Sequence, residues 1–442
     1  MSKLVYKEFS GTSQWLCPAG VTQIYANNND TSKMFTFTGI SSNNDHTITL
    51  KSDGTCWLWG FNTSGQLGNL SMTNRSSPVL PIGGHSFVEI SAGNIHSLAR
   101  KADGSVWGWG SNANGRLGAG VNITNRSSPS LVVGSHTFVE ISAANAHSLA
   151  RKSADGSVWA WGNNPSGGLG RNNITSTSSP VLVLGSHSFS EISSRGYNSL
   201  ARKADGSVWC WGDNTYGNVG DNSIANRSSP VLVVGSHSFV EISNGCTYHS
   251  IARKDDGSVW AWGSNSNGQL GDNSITSRSS PVLVLGSHSF IEISTGESYS
   301  LARKSDGSAW TWGSNSYGEI GNNSLIQASS PVLVTGGHSF FEISGGGSHS
   351  VARKADGSVW SWGYNNVGQI GDLTMNRKSC PVAQEAINYM PTYKTTYSKL
   401  SVVPGTTYTF CQIDINAVWF VTINSNNIIL GIGNPLVICW EE

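Results

Sequence analysis

His96-Ser97-Leu98-Ala99-Arg100-Lys101-Ala102-Asp103-Gly104-Ser105-Val106-Trp107-Gly108-Trp109-Gly110 decides the fold of this chain. Small or apolar residues alternate with polar ones on both sides of an Asp-Gly pair. That pair is the strongest short-range hairpin signal, because a type I′ turn needs positive φ at both central residues. The spacing therefore predicts two antiparallel strands closed by a type I′ turn. The same stretch recurs, with its second tryptophan at Trp59, Trp109, Trp161, Trp211, Trp262, Trp312 and Trp362, at intervals of 50, 52, 50, 51, 50 and 50 residues. Each unit continues through Asn-x-x-Gly-x-Leu-Gly, a turn, into Ser-Ser-Pro-Val-Leu-Val, where proline at a strand start removes no ladder donor. A segment of the type Ser-Phe-Val-Glu-Ile-Ser completes four short strands per unit, and seven units span roughly 37 to 388.

A four-stranded unit cannot bury its own faces, so successive units have to stack. Linear stacking leaves two open ends that need atypical caps, and seven like units without caps favour a closed ring. The expected fold is all-β: a seven-bladed β-propeller. Composition agrees. With 52 Gly, 17 Trp and only 12% charged residues, the chain suits tight turns and short strands and excludes coiled coils.

Lys+Arg and Asp+Glu are 27 each, so the formal net charge is zero. This builds no positive field for nucleic acid or anionic membrane. No apolar run is long enough to span a bilayer, so neither nucleic-acid binding nor membrane insertion is expected. The start, MSKLVYKEFSGTSQ, has no apolar signal-peptide core. The seven cysteines (Cys17, Cys56, Cys210, Cys246, Cys380, Cys411, Cys439) include no CxxC pair. They read as reduced core residues, without disulfide framework or zinc.

The repeated motif H-S-L-A-R-K-x-D-G-S-V-W-x-W-G-x-N-x-x-G-Q-L-G resembles the repeat of the regulator of chromosome condensation family, over about 80% of the chain. The resemblance implies a seven-bladed propeller. The family's namesake is a guanine-nucleotide exchange factor for a small GTPase that also binds chromatin. The spacing here never exceeds 52 residues, which leaves no room for the wedge hairpin of such exchange factors, and there is no basic tail.

All eleven histidines fall at two repeat positions. His85, His136, His187, His237, His288 and His338 precede the Ser-Phe or Thr-Phe pair; His46, His96, His147, His249 and His349 open the second strand, where two units carry Asn198 and Tyr299. A residue present in nearly every blade does blade work, such as bonding turn carbonyls. The competing idea, a ring of imidazoles holding a metal on the axis, is interrupted by Asn198 and Tyr299. Glu89, Glu140, Glu191, Glu241, Glu292 and Glu342 recur with Arg100, Arg151, Arg202, Arg253, Arg303 and Arg353, as strand-to-strand polar contacts would. No G-x-S-x-G, phosphate loop or H-E-x-x-H is present, and no catalytic residue, cofactor or metal site is expected.

Positions that differ between units on a common edge are free to serve a ligand. The segment before the second strand is the most divergent. It puts Asn94, Ile95, Arg195, Tyr197, Thr247, Tyr248, Glu297 and Tyr299 on one propeller face, the candidate ligand-binding set. The NLSMTN, AGVNITN, RNNITST, DNSIAN, DNSITS, NNSLIQA and DLTMN loops form a second variable set, with Tyr216, Tyr317 and Tyr364 in the adjoining turns.

Residues 1–33 and 389–442 lie outside the repeats. Strand-like runs at both ends predict one small split β-sandwich, with the propeller (34–388) inserted into it. Residues 9–24, F-S-G-T-S-Q-W-L-C-P-A-G-V-T-Q-I, and the V-V-P-G-T-T-Y-T segment at 402–409 look like elements of phage tail-fibre and bacterial surface proteins. Cys17 departs from that pattern. The sequence thus points first to a non-enzymatic virion adhesion protein, assembled in the host cytoplasm. Its split domain would attach to other virion or surface proteins, and its propeller would present loops to a host receptor or glycan. The alternative is a cytoplasmic propeller scaffold or exchange factor.

Overall fold

The computed structural model describes residues 5–9, 12–16, 37–120, 123–245, 249–384, 408–414, 417–424 and 427–433. The chain divides into a unit of residues 33–390 and a unit of residues 1–32 with 391–442. In the smaller unit Val5–Phe9 pairs antiparallel with Thr12–Leu16, and Tyr408–Asp414, Ala417–Asn424 and Asn427–Gly433 form an antiparallel three-stranded sheet. The remainder of the predicted sandwich lies outside the described residues.

In the larger unit the described residues form seven four-stranded antiparallel sheets, each built from consecutive strands. Blade 2 is representative, with Glu89–Ala92 innermost, then His96–Arg100, Val106–Gly110 and Arg126–Leu131 at the rim. Blade 1 begins at Phe37–Asn43 and blade 7 ends at Lys378–Ala383, so no strand is shared between the first and last blades. This is the seven-bladed propeller that the repeat predicts.

Each apolar cluster is shared by two blades. Leu149, Val158, Ala160, Leu169 and Val183 of blade 3 pack with Phe189, Ile192, Ala201 and Trp211 of blade 4. Blade 7 meets blade 1 in the same way, through Val351 and Val359 against Phe37, Ile40, Trp57 and Trp59. The second tryptophan of each unit is fully buried. Its indole N–H crosses to a turn carbonyl of the preceding blade: Trp109 to Gln66, Trp161 to Arg116, Trp211 to Gly168, Trp262 to Asn218, Trp312 to Gln269 and Trp362 to Glu319, at 2.7–3.1 Å. Trp59 closes the ring on Gln369 O at 3.0 Å. Burying an indole leaves one donor to satisfy, and the preceding blade's turn satisfies it.

The innermost strand is a sheet edge with free N–H groups, a liability unless covered. Here the preceding blade covers it. Glu89 accepts from Arg100 Nε of its own blade at 2.6 Å and from the Ile141 N–H of the next at 3.0 Å. Glu140, Glu191, Glu241, Glu292 and Glu342 likewise accept from the arginine of their own blade and from the N–H of Ile192, Ile242, Ile293, Ile343 and Ile40 in the next. The recurrent Glu and Arg are therefore structural stitches.

The Asp-Gly hairpin departs from the expected geometry. Gly104 N–H bonds Lys101 O at 2.9 Å and Lys101 N–H bonds Ser105 O at 2.9 Å. Only Gly104 (φ 81°) takes positive φ; Asp103 does not. The loop is three residues long, a type I turn ending in a left-handed glycine bulge, rather than a two-residue type I′ turn. Asp103 Oδ1 instead holds the Ser105 N–H and hydroxyl, at 2.8 and 2.6 Å.

Both histidine sets do blade work. His85, His136, His187, His237, His288 and His338 lie 4.2–4.3 Å from the outer tryptophans Trp107, Trp159, Trp209, Trp260, Trp310 and Trp360. A lysine ammonium caps each of these rings, as Lys101 does over Trp107 at 4.6 Å. The second set crosses between blades: His46 Nε2 to Ser97, His96 to Ser148, His147 to Ser199, His249 to Ser300, and His349 to Thr47, at 2.8–3.1 Å. Each serine hydroxyl donates to a turn carbonyl, Ser97 to Gln66 O at 2.8 Å for one. Its proton being so committed, Nε2–H is the donor and the imidazole is neutral. Nδ1 of His46, His96, His249 and His349 then has no partner. Of the described cysteines, Cys56 and Cys210 are free and buried, and Cys380 is free and half-buried.

Burial holds the His46, His249 and His349 imidazoles down at about 3 and His147 at about 4, against 6.5 for a free imidazole. With a depressed folded value, their stability contribution is complete above about pH 6.5. It is lost progressively as the pH falls towards 3. Burial pushes the Glu292 carboxyl up to about 7, which works in the opposite direction. A single-site comparison isolates the histidine effect. His96→Tyr, which copies the Tyr299 arrangement, is expected to reduce the pH dependence of unfolding below pH 6 by up to one proton, about 1.4 kcal/mol per pH unit. Denaturant midpoints measured from pH 7 to pH 4 check this.

Candidate functional site

Chain direction alternates along each blade, so the loops joining strands one to two and three to four emerge at one end of the ring. The Asp-Gly hairpins emerge at the other. Both variable loop sets therefore share a face.

The predicted binding residues do not all reach that face. Tyr299 is fully buried, with its hydroxyl donating to His349 O at 2.5 Å and accepting from Ser350 Oγ at 3.1 Å. It does the work of the missing histidine and is an inter-blade wedge, not a ligand residue. Arg195 is also buried. From blade 4 it crosses the central channel to Asn43 Oδ1 of blade 1 at 3.1 Å and to Thr295 O of blade 6. It links three blades through one side chain. Asn94, Ile95, Tyr197 and Glu297 are half-buried around the channel mouth. Their backbones link neighbouring loops, as in Asn94 N–H to Ala144 O at 3.3 Å and Glu297 N–H to Gly347 O at 3.1 Å. Thr247 and Tyr248 lie outside the described residues.

The larger feature of this face is apolar. Met72, Ile123, Ile174, Ile224, Ile275, Leu325 and Met375, one per blade in the loop between strands three and four, are 42–70% exposed. A buried asparagine fixes each loop. Asn214 Nδ2 donates to Ser223 O at 3.1 Å and Ala225 O at 3.0 Å, the carbonyls flanking Ile224, while its Oδ1 accepts the Val219 N–H at 2.9 Å. Asn62, Asn164, Asn265, Asn315 and Asn365 grip the carbonyls flanking Met72, Ile174, Ile275, Leu325 and Met375 in the same way. Six of the seven apolar side chains are thus held outward by a clamp on both sides. Sequence variation alone hid this ring. Its signal is an aliphatic residue ten positions after the W-G-x-N asparagine, eleven in blade 2, inside an otherwise polar loop.

The loops also lean on the next blade, through Asn222 N–H to Ser279 O and Asn273 N–H to Ser329 O, both at 2.8 Å. The donor sits at positive φ. Asn172, Asn222, Asn273 and Asn323 tolerate that, whereas Leu70 (φ 61°) and Leu373 (φ 62°) do not easily. Leu373→Asn is expected to raise stability by about 1 kcal/mol, read as a shift in the urea midpoint. Asn265→Ala, which strands the clamped carbonyls and the Leu270 N–H, is expected to cost about 2–4 kcal/mol in the same measurement.

The description "RCC1-like domain" matches residues 15–339, and "regulator of chromosome condensation (RCC1) repeat" matches residues 342–369. No curated protein matches the chain. Among solved structures, human WBSCR16 is similar at 21% identity, covering 74% of this chain and 93% of that one, with a TM-score of 0.68. Yeast RCC1 (Prp20) bound to Kap60 is similar at 20% identity, covering 85% and 90%, with a TM-score of 0.67. Prp20p from Saccharomyces cerevisiae, studied with its binding properties to Gsp1p and histones, aligns at 21% identity over 81% of this chain and 89% of that one, with a TM-score of 0.66. Seven tryptophan-locked blades, together with a family match over most of its length, make this chain a member of the RCC1-like domain family.

Proposed function

We propose that this chain is a non-catalytic protein-binding scaffold whose partner docks on the face carrying the clamped aliphatic ring. The observation that carries the reading is the ring itself: seven exposed aliphatic side chains, six of them fixed by a buried asparagine on the flanking carbonyls. Soluble proteins seldom hold so many apolar residues rigidly in water on one face unless something covers them. Pre-ordered loops also lower the entropy cost of binding. The titratable residues that recur from blade to blade are occupied with holding blades together, which leaves a recognition surface rather than an acid–base site.

Prp20p, studied for its binding properties to Gsp1p and histones, supports protein partners as the ligand class. It also motivates a second reading, exchange of nucleotide on a small GTPase. Virion attachment rests on the terminal motifs, of which residues 17–24 and 402–407 lie outside the described residues. The triple variant Ile174→Ser, Ile224→Ser, Ile275→Ser is expected to fold normally and to lose a partner crosslinked by the wild type in cells. An unchanged crosslinked partner would exclude the aliphatic face. Acceleration of nucleotide release from a purified small GTPase would favour the second reading.

A further inference from the structure

Seven like anchors cannot set a rotational register, because a partner turned by one blade meets the same aliphatic ring again. The charges around the ring are not sevenfold, and they divide the face into two sectors. In blades 4, 5 and 7 the cation that opens strand four is neutralised within its own loop. Arg227 pairs with Asp221 at 2.5 Å, Arg278 with Asp272 at 3.1 Å, and Lys378 with Asp372 at 3.1 Å. That acid stands seven positions after the W-G-x-N asparagine. Blades 1 and 2 carry Asn69 and Ala119 there, and blade 3 carries Arg171.

Arg75, Arg126 and Arg171 therefore have no acid of their own. Among the described residues none of the three guanidinium groups makes an ion pair or a hydrogen bond, and Arg126 Nε is buried without a partner. Backbone bonds join their loops. Leu70 N–H meets Ser127 O, beside Arg126, at 2.9 Å, and Gly120 N–H meets Ser178 O of blade 3 at 3.0 Å. Asp372, whose neighbour Leu373 leans on Ser76 beside Arg75, is already held by Lys378, Asn365 and Thr374. Arg116 adds to the positive sector, and Asp45 is the one acid of blades 1 to 3 on this face. In the other sector the acids Asp213, Glu297 and Glu319 offset Arg195 and Arg377. Each unpaired arginine lies three residues from an exposed aliphatic side chain of the ring: Met72, Ile123 and Ile174.

We propose that blades 1 to 3 receive the acidic flank of an amphipathic protein partner, and that this flank fixes which rotational register the partner takes on the aliphatic ring. Carboxylates over Arg75, Arg126 and Arg171 gain charge-assisted hydrogen bonds. Turned onto blades 4, 5 or 7, the same carboxylates meet cations already neutralised by Asp221, Asp272 and Asp372. An aliphatic side chain beside every unpaired arginine suits a protein surface, where apolar and acidic groups adjoin, rather than a phosphate backbone. This deepens the scaffold reading by assigning the partner's charge and orientation, and it rests on that reading for the ring being the docking surface.

The test is methyl NMR on the full chain, with Met72, Ile123 and Ile174 reporting on one sector and Ile224, Ile275 and Met375 on the other. The probe is a synthetic amphipathic helix with leucine on one face and glutamate on the other. A glutamine version of it and a thymidine oligonucleotide are the controls. The glutamate peptide is expected to shift Met72, Ile123 and Ile174 selectively, and to bind more weakly at high salt. Asn69→Asp and Ala119→Asp install the acid used in blades 4, 5 and 7, and Arg171→Asn copies Asn322; together they are expected to weaken binding about fivefold. Asp221→Asn with Asp272→Asn copies Asn69, which already makes the same loop bonds in blade 1. That pair is expected to extend the shifts to Ile224 and Ile275. Equal shifts in both sectors, no binding of the glutamate peptide, equal binding of the glutamine peptide, or preference for the oligonucleotide would each overturn the proposal. The scaffold reading fails on a different result, an unchanged crosslinked partner in the serine triple variant, so the two failures are distinguishable.

Discussion

The propeller depends on one contact made seven times: a buried indole N–H bonded to the turn carbonyl of the preceding blade. The bond is modest, of order 1 kcal/mol. Its importance lies in where it sits. It fixes the register of the largest side chain in each inter-blade core, and the same carbonyl also receives a serine hydroxyl, as Gln66 O receives both Trp109 and Ser97. That serine carries the histidine of its neighbour, and so turn, tryptophan, serine and histidine form one joint. Removing any member leaves a buried polar group without a partner, which costs more than the bond itself contributes.

The repeat made the architecture legible because both of its periods are physical. Alternation within HSLARK and VWGWG specifies strands, and the roughly 50-residue interval specifies identical neighbours. The multiplicity of His, Glu and Arg pointed to work within and between blades, and their hydrogen bonds show that work. Two things were not legible. The type I plus bulge hairpin differs from type I′ only in Asp103 φ, and the Asp-Gly dipeptide serves both. Burial of Arg195 and Tyr299 also could not be read from variability, because a position differs between blades either when it is exposed or when it compensates for another change. Tyr299 compensates for a missing histidine, and Arg195 serves blades on the opposite side of the channel.

The aliphatic ring illustrates the converse. Its loops vary in sequence, length and polarity, yet the clamp is constant because one asparagine amide, with two donors and one acceptor, can satisfy a whole loop. The scaffold therefore separates what holds a loop from what the loop displays. Blades 1 and 3 exploit that freedom by displaying arginines without any change to the clamp below them.

Asn198 is where the joint is incomplete. It is too short to reach Ser250, and its Nδ2 turns back to Cys210 Sγ at 3.7 Å while its Oδ1 is left without a partner. At the same seam Ser250 reaches Asn218 O only at 3.4 Å, and the Trp262 bond, at 3.1 Å, is the longest of its kind. Asn244 of blade 5 compensates across the same seam, its Nδ2 donating to Asn198 O at 3.0 Å and to Arg195 O at 3.3 Å. One blade can thus give up its histidine without opening the circle, because a side chain of its neighbour re-bonds the joint from the other side.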